Sequence, residues 1–319
     1  MHILIFAIIS ITFSFLMANF IGWVFFIAIF WGATLIISSL YLEKLNFLVI
    51  FLLNLGVLAY LTSFTTLFYY LSFYGLAILV IGLLAYEDKG YYALQKWGII
   101  TAFLGVSIFL GALYLEDGNI GLKDFEEQLT ASVAISIQEY DESGMFEFYE
   151  KRGISKADFE ARVYNIVKVI SYHLPALYYL QAVLVVFFML LLAARVSLKR
   201  NISRLKKRPY IKEIMPWQLA WLAIAGLILW LIGRENISFI YYIGSNLLVI
   251  LLPITMYFGL AALIFIFRQK QLFRKKWLIA LLVFLAIIFP LSLVFFLSVF
   301  GLFDGLLDYR KLRIESEDV

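Results

Sequence analysis

The chain has 319 residues, of which 64% are hydrophobic and only 15% are charged, with a formal net charge of +4. Soluble domains are roughly 45 to 50% apolar, so this composition excludes a soluble globular protein and indicates a polytopic membrane protein. The chain has no cysteine and two histidines, which excludes disulfides and cysteine nucleophiles and disfavours a histidine-rich catalytic zinc site. Because alternating strand patterns are absent, we predict an all-α transmembrane helix bundle.

The first 115 residues are dominated by long apolar runs. No Asp, Glu, Lys or Arg occurs from Ile3 to Leu40, which is about twice the length of one span, so we expect a helical hairpin that turns near Asn19 to Gly22. The pattern repeats from Leu45 to Tyr86, and a fifth span covers Trp97 to Leu115. Residues 1–115 are therefore predicted to form an N-terminal region of five spans.

Residues 116–173 change in character. Residues 116–168 hold twelve acidic and six basic side chains, and their apolar residues recur at helical spacing, which indicates amphipathic helices. Ser155 and Asp158 have the spacing of a helix cap. We expect this insertion to lie on the membrane surface or over the bundle as a lid. Its predicted apolar faces are Leu122, Phe125, Leu129, Val133 and Ile137 in one helix, and Phe159, Val163, Ile166 and Ile170 in the next.

A basic loop fixes the predicted orientation. Pro175 ends the amphipathic helix, because proline lacks an amide donor, and a sixth span follows from Leu174 to Ala194. Eight basic side chains then occur within residues 195–212, and the positive-inside rule assigns such a loop to the cytoplasm. The insertion, residues 116–173, is therefore predicted to be extracytoplasmic.

Three further apolar segments follow the basic loop. They are Trp217 to Gly233, a run within Ile237 to Phe267, and Trp277 to Phe303; together with the sixth span they make residues 174–319 a C-terminal transmembrane region. Residues 268–276 are basic and are predicted to be cytoplasmic. Nine spans would place the C-terminus outside, whereas the basic residues near the chain end favour the inside, so we predict eight or nine helices.

The last span carries the most organised polar pattern. Gly301, Asp304, Gly305 and Asp308 are spaced at i, i+3, i+4 and i+7, so they share one helix face. A carboxylate in the membrane costs about 3 kcal/mol unless it is paired or hydrated, which makes the two aspartates candidates for a ligand or head-group site. The alternative is a packing seam whose aspartates pair with Arg310 or a neighbouring helix. A magnesium–diphosphate site would need a second acidic motif, which is absent at the required spacing.

Other polar residues allow two interpretations each. Asn54, Gln181 and Asn246 lie inside apolar spans, where an amide either lines a pocket or bonds across helices. His173 is either an extracytoplasmic pH switch or an interfacial anchor or cap. The chain has neither a GxxxxGK loop nor a GxSxG elbow, so no ATPase or hydrolase motif is present. No catalytic residue, metal or cofactor is predicted; the predicted ligand-binding residues are Asn246, Asp304, Asp308, His173 and Gln181.

Several short motifs resemble a known family. Leu174-Pro175-Ala176-Leu177 opens one span, Pro216-Trp217 opens the next, and Gly301-Leu302-Phe303-Asp304 ends the last. In these motifs residues 150 to 313 resemble the YybS-like family of uncharacterised bacterial membrane proteins. That family is similar in general plan to the substrate-binding membrane subunits of energy-coupling-factor transporters. The resemblance implies a bacterial cytoplasmic membrane protein with a pocket for a small hydrophobic or vitamin-like ligand, and membrane partner subunits.

Three functional hypotheses follow. The leading one is a non-enzymatic, transporter-like subunit that holds a small molecule or lipid between helices. The second is a membrane scaffold or assembly factor that acts through its basic loop and lid. The third is a metal-dependent lipid transferase centred on Asp304 and Asp308. The lipid bilayer is the expected environment, and no specific nucleic-acid partner is expected because topology already explains the basic loops.

Overall fold

A computed structural model of the chain describes residues 2–118, 122–150, 153, 155–199, 205–235, 239–269, 280 and 284–312. Within these ranges the backbone forms helices and turns and no strand, which confirms the all-α prediction. Eight of the helices are long and apolar enough to cross a membrane. A further apolar helix, Trp217–Gly233, has 17 residues. The polytopic helix bundle expected from composition is therefore confirmed.

The chain divides into two compact units, Met1–Lys207 and Arg208–Val319. The helices of the first unit are α1 His2–Asn19, α2 Val24–Tyr41, α3 Lys44–Leu61, α4 Phe64–Ala85, α5 Tyr91–Asp117, α6 Leu122–Glu142, α7 Met145–Glu150, α8 Lys156–Tyr172 and α9 Leu174–Lys199. Those of the second unit are α10 Trp217–Gly233, α11 Phe239–Gln269 and α12 Pro290–Leu307. The division into regions 1–115, 116–173 and 174–319 stays a prediction.

Polar residues define the turns of the two N-terminal hairpins. Asn19 ends α1, and a short 3₁₀ turn, Ile21–Trp23, leads into α2. In the second hairpin the Ser63 hydroxyl accepts a hydrogen bond from the Thr66 amide at 3.2 Å and so caps α4. Such a cap satisfies one of the amides that a helix start leaves unpaired. The first turn lies at the predicted Asn19–Gly22 position.

Asn54 joins three helices in the core of the first unit. Its Oδ1 accepts hydrogen bonds from Ser14 Oγ at 2.7 Å and Trp31 Nε1 at 3.0 Å. Its Nδ2 donates to Ser10 Oγ at 2.9 Å and to the Ile50 carbonyl at 2.8 Å. The Asn54 side chain is fully buried, and the protein fills both its donor and its acceptor positions. Of the two interpretations of this amide, bonding across helices is the one observed.

The insertion is a small helical assembly with an aromatic centre. The Phe159 ring lies 5.5 Å from the rings of both Phe146 and Tyr149. Ser155 caps α8 by accepting from the Asp158 amide at 3.1 Å, as its spacing predicts. Ile166, assigned to the packed face of α8, is instead 55% exposed.

The buried side of α8 continues at a spacing of four residues, whereas the predicted face shifts by three residues from Val163 to Ile166. Val167 and Ser171 are buried, whereas Ile170 is 39% exposed. The sequence could not distinguish these rows, because α8 carries apolar residues on more than one side.

Glycines bring the helices of the second unit close together. A Cβ on Gly301 would lie 2.1 Å from the Thr255 carbonyl oxygen, and one on Gly259 would lie 1.9 Å from the Leu297 carbonyl oxygen. Backbone therefore rests on backbone where α11 crosses α12. The segment predicted as one ninth span is interrupted at Phe289, and α12 starts with Pro290 at its first turn, a position where proline needs no amide donor.

Candidate functional site

The span α4 contains an unusual turn. Residues Leu71–Gly75 are wound as a π-helix, a rare geometry that occurs frequently at functional sites. In a regular α-helix two residues five apart point about 140° away from each other, and the wider π turn reduces that angle. It brings the hydroxyls of Tyr69 and Tyr74 within 3.2 Å of each other. The turn therefore builds a two-phenol cluster from one helix.

The π turn packs directly on α5. A Cβ placed on Gly105 would lie 2.0 Å from the Ser72 carbonyl oxygen, so any larger residue would have to displace the backbone of the turn. Ser72 itself is buried. Glycine at this point of α5 is what allows the irregular part of α4 to sit inside the bundle.

Gln181 of α9 completes the polar cluster. Its Nε2 donates a hydrogen bond to the Tyr69 hydroxyl at 2.6 Å and a second one to the Tyr74 hydroxyl. Tyr74 is buried, whereas Tyr69 and Gln181 are half-buried. We call Tyr69, Tyr74 and Gln181 the phenol–amide cluster.

The hydrogens of this cluster can be counted. The amide Nε2 has two, and each goes to one phenol oxygen; the two phenols have two, and the contact between them uses one. The remaining phenol hydrogen and Gln181 Oε1 have no hydrogen-bond partner among the residues that the structure describes. Rotating the amide by half a turn would leave two hydrogen bonds instead of three, so the observed orientation is the favoured one.

Aromatic rings surround the phenol–amide cluster. Phe73 lies 4.3 Å from the Tyr69 ring, and it lies 5.4 Å from both Phe109 and Tyr178. The Tyr69–Phe73 pair is tilted, and the other two pairs meet edge to face, which is a favoured arrangement of aromatic rings. The rings come from α4, α5 and α9, so the cluster is built where three helices meet.

The cluster lies near one end of these helices. Tyr69 comes five residues after Phe64 and Gln181 seven residues after Leu174, which is about 8 and 10 Å along the helices at 1.5 Å per residue. Phe109 lies on α5, which ends at Asp117, where the insertion begins. The phenol–amide cluster is therefore at the end of the bundle to which the insertion is joined.

The structure places the other predicted residues of the set in local hydrogen bonds. His173 is the C-cap of α8, and its Nδ1 lies 2.7 Å from the Val169 carbonyl oxygen, which is the cap arrangement. Asn246 Nδ2 donates to the Tyr242 carbonyl in its own helix at 2.8 Å. Gln181 and His173 belong to the first unit, whereas Asn246, Asp304 and Asp308 belong to the second.

Asp304 forms a buried ion pair with Arg310. The guanidinium NH2 group lies 2.7 Å from Asp304 Oδ2, and its Nε contacts both carboxylate oxygens at 3.1 and 3.2 Å. The two residues are 2% and 5% exposed. Asp308 ends α12 in the left-handed conformation, at φ 45°, and its Oδ1 accepts from the Leu312 amide at 3.2 Å. The Arg310 partner proposed in the packing-seam alternative is the one observed for Asp304.

Arg310 also fastens the segment that precedes α10. Its NH1 group donates to the Ile211 carbonyl at 2.7 Å and its NH2 group to the Glu213 carbonyl at 2.6 Å. The Tyr210 hydroxyl donates to the Tyr257 carbonyl at 2.8 Å, and burial raises the pKa of Tyr210 to about 12, so this donor stays protonated at physiological pH. Asp304 and Arg310 thus form the centre of a network that joins both ends of the second unit.

Across the described ranges, His, Asp and Glu side chains do not come together in any group of three that could hold a metal ion.

The two tyrosines of the cluster were not singled out from the sequence. The chain has 20 tyrosines, and aromatic belts at the membrane interfaces account for many of them. A spacing of five residues is not a helical period, so Tyr69 and Tyr74 are not expected to meet unless the helix widens locally. A short aromatic run of Phe68 to Tyr70 and Phe73 to Tyr74 inside one span is the signal that could have drawn attention to them.

A family model with the description "Predicted membrane protein (DUF2232)" matches residues 4–305. No curated protein and no solved structure matches the chain. The matched residues extend from α1 into α12, so they include helices of both units.

Proposed function

The chain belongs to this family of predicted membrane proteins, and on that premise we propose that it is a non-enzymatic, transporter-like subunit that holds a small molecule or lipid between its helices. The observation that carries the proposal is the phenol–amide cluster. One phenol hydrogen and Gln181 Oε1 have no protein partner in the described residues, and aromatic side chains pack on the Tyr69 ring of the same cluster. A polar group inside a membrane span is costly until it is hydrogen-bonded, and a bound ligand would supply the missing bonds.

The proposed site combines one predicted residue with two that the fold supplies. Gln181 belongs to the predicted ligand-binding set, and Tyr69 and Tyr74 join it. Ligand contacts of Asn246, Asp304, Asp308 and His173 remain predictions. A ligand at Asp304 would have to compete with Arg310 for the carboxylate.

The proposal also covers the related protein families, the kind of membrane and the side of the membrane on which each loop lies. We propose a YybS-like protein of the bacterial cytoplasmic membrane, similar in general plan to the substrate-binding subunits of energy-coupling-factor transporters. Residues 116–173 would then be extracytoplasmic, and residues 195–212 and 268–276 cytoplasmic. A small hydrophobic or vitamin-like ligand and membrane partner subunits belong to the same proposal.

The lipid-transferase alternative has less support. Both Asp304 oxygens are in contact with Arg310, and the ion pair is buried. A magnesium ion that bridges a diphosphate needs free carboxylate oxygens. A transferase would therefore have to open the Asp304–Arg310 pair before it could bind its metal.

Gentle purification from the native membrane tests the proposal, with mass spectrometry of retained small molecules and proteins. The comparison uses the wild type, Gln181→Leu and Tyr86→Phe. Tyr86 is a matched control because its hydroxyl makes one hydrogen bond, to the Leu42 carbonyl at 2.9 Å, and it lies beyond the opposite end of α4. We expect one defined compound in the wild type and the control, and roughly tenfold less in Gln181→Leu, since a lost hydrogen bond costs about 1 to 3 kcal/mol.

A different result would support the scaffold alternative. Ribosomal, secretory or envelope proteins that co-purify with bulk lipid alone would show that the chain acts through partners. A defined compound retained equally by the wild type and by Gln181→Leu would place the ligand elsewhere in the protein.

A further inference from the structure

We infer that the phenol–amide cluster selects an uncharged planar ring that carries a hydrogen-bond donor beside an acceptor, as primary amides, lactams and un-ionised carboxylic acids do. This inference rests on the proposed function and specifies its ligand. It follows from three properties of the site, namely its unused hydrogen-bonding positions, the absence of charge in the surrounding spans, and its aromatic walls.

Within the part of the chain that the structure describes, the phenol–amide cluster has one unused hydrogen-bond acceptor and one unused donor. Gln181 Oε1 is an acceptor and requires a donor from the ligand, whereas the remaining phenol hydrogen of Tyr69 or Tyr74 requires an acceptor. Both belong to one connected set, because Gln181 Nε2 is bonded to each phenol oxygen. A ligand group with an N–H or O–H beside a carbonyl satisfies both positions at once. A group with an acceptor alone would leave Oε1 unpaired inside the membrane, which costs about 1 to 3 kcal/mol.

The surrounding spans carry no charge. Residues 64–86, 97–115 and 174–194 contain no Asp, Glu, Lys, Arg or His. A carboxylate would face Oε1 with a second acceptor, and a cation would face the phenol hydrogen. Neither would find a counter-ion on these three spans, and an unpaired charge is expensive at this depth. The phosphate of a phospholipid is disfavoured for the same reason, which favours a small neutral molecule over a lipid head group.

The walls favour a flat ring. Phe73, Phe109 and Tyr178 pack on one another with centroid separations of 5.4 to 6.4 Å, and Phe73 and Phe109 also pack on the Tyr69 ring of the cluster, at 4.3 and 5.7 Å. Aromatic faces and edges pack well on another ring and gain about 0.5 to 1.5 kcal/mol beyond the area buried. A planar amide or lactam attached to a ring would place its polar edge on Gln181 and one side of its ring against this aromatic group.

Three probes built on the same benzene ring test the inference. Benzamide has a donor beside an acceptor, N,N-dimethylbenzamide has the acceptor alone, and benzoate is charged at neutral pH. Their dissociation constants are measured by saturation-transfer NMR with the full chain in phosphatidylcholine nanodiscs, and empty nanodiscs correct for partition into lipid. The variants are Gln181→Leu and Tyr74→Phe, with Tyr86→Phe as control.

Benzamide is expected to bind the wild type and Tyr86→Phe roughly tenfold more tightly than either other probe, and this preference should fall to about one in Gln181→Leu. Tyr74→Phe provides a second test should Gln181→Leu fail to fold, and it should also weaken benzamide binding. Equal binding of benzamide and N,N-dimethylbenzamide, a preference for benzoate, or binding by no probe would overturn the inference.

The failure of this inference can be distinguished from failure of the proposed function. A charged compound that co-purifies and is lost in Gln181→Leu would reject the ligand class while the binding role stands. Absence of both a co-purified compound and any probe binding would reject both.

Discussion

Asn54 and Gln181 both lie inside membrane spans of the first unit, and they differ in how far the protein satisfies their hydrogen-bonding groups. Asn54 uses both its donors and its acceptor on neighbouring side chains and backbone. Gln181 uses its donors on two phenols, and its Oε1 has no partner in the described residues. Since an unpaired acceptor inside a membrane span costs free energy, we interpret Asn54 as a structural contact between helices and Gln181 as a residue suited to binding a ligand.

The buried ion pair of Asp304 and Arg310 leads to a prediction about stability. Asp304→Asn leaves the Arg310 guanidinium buried without its counter-charge, so we expect the free energy of unfolding to fall by about 3 to 5 kcal/mol. Denaturant titration of the purified protein in detergent measures it. Asp141→Asn is the control, because the Asp141–Lys156 pair is exposed and such pairs contribute at most about 1 kcal/mol. If Asp304→Asn loses no more stability than the control, the buried Asp304–Arg310 pair does not stabilise the second unit.

Two helix pairs approach each other closely at positions where one helix carries glycine. In α4 and α5, Gly105 admits the carbonyl of the π turn; in α11 and α12, Gly259 and Gly301 admit each other's helix. The three glycines do the same physical work, which is to remove the Cβ that would separate two backbones. Element packing in this protein is therefore set by a few positions in which side chains are absent.

Gly301→Ala tests this at the scale of one helix pair. The new Cβ would meet the Thr255 carbonyl at 2.1 Å, and backbone cannot yield cheaply, so we expect a loss of about 2 kcal/mol or more. Gly305→Ala in the same helix is the matched control, because the atoms nearest to its Cβ would be those of the Met215 side chain, at 3.4 Å or more. Alanine is the better helix former by about 0.5 to 1 kcal/mol, so the control should be neutral or slightly stabilising. Thermal unfolding in detergent compares the two variants. Equal unfolding midpoints would contradict the proposed dependence of the α11–α12 packing on Gly301.

The whole molecule combines a hydrophobic bundle with loops of opposite character. Residues 116–168 are mainly acidic, and residues 195–212 are basic. The helix α9 runs between the two, and its 26 residues exceed the roughly 20 needed to cross the hydrocarbon core. We therefore expect the insertion and the basic loop on opposite sides of the membrane.

Cysteine labelling tests this orientation cleanly, because the chain contains no cysteine of its own. Ser132→Cys places a thiol on the exposed part of α6, and Lys212→Cys places one on the exposed basic segment. A membrane-impermeant maleimide added to intact cells should label Ser132→Cys at once and Lys212→Cys only after permeabilisation. The reverse pattern would invert the proposed topology, and equal labelling in intact cells would show that α9 does not separate the two loops.

The sequence by itself determined the class of protein and most of its helices. Apolar length and the positions of polar turns are local properties, so they predicted the α1–α2 turn, the Ser155 cap and the helix Trp217–Gly233, which stays a prediction as a membrane span. The sequence also allowed two alternatives to be stated in advance. His173, close to Pro175, could cap a helix, and Asp304 could pair with Arg310 because the two have opposite charges and are six residues apart.

Tertiary structure decided which polar groups meet. The widened turn of α4 brings Tyr69 to Tyr74, α9 brings Gln181 to both, and Arg310 reaches two carbonyls about a hundred residues earlier in the chain. These contacts depend on helix rotation and on glycine-permitted approach. A periodic apolar sequence does not encode either one strongly, because in a membrane most faces of a helix can be hydrophobic.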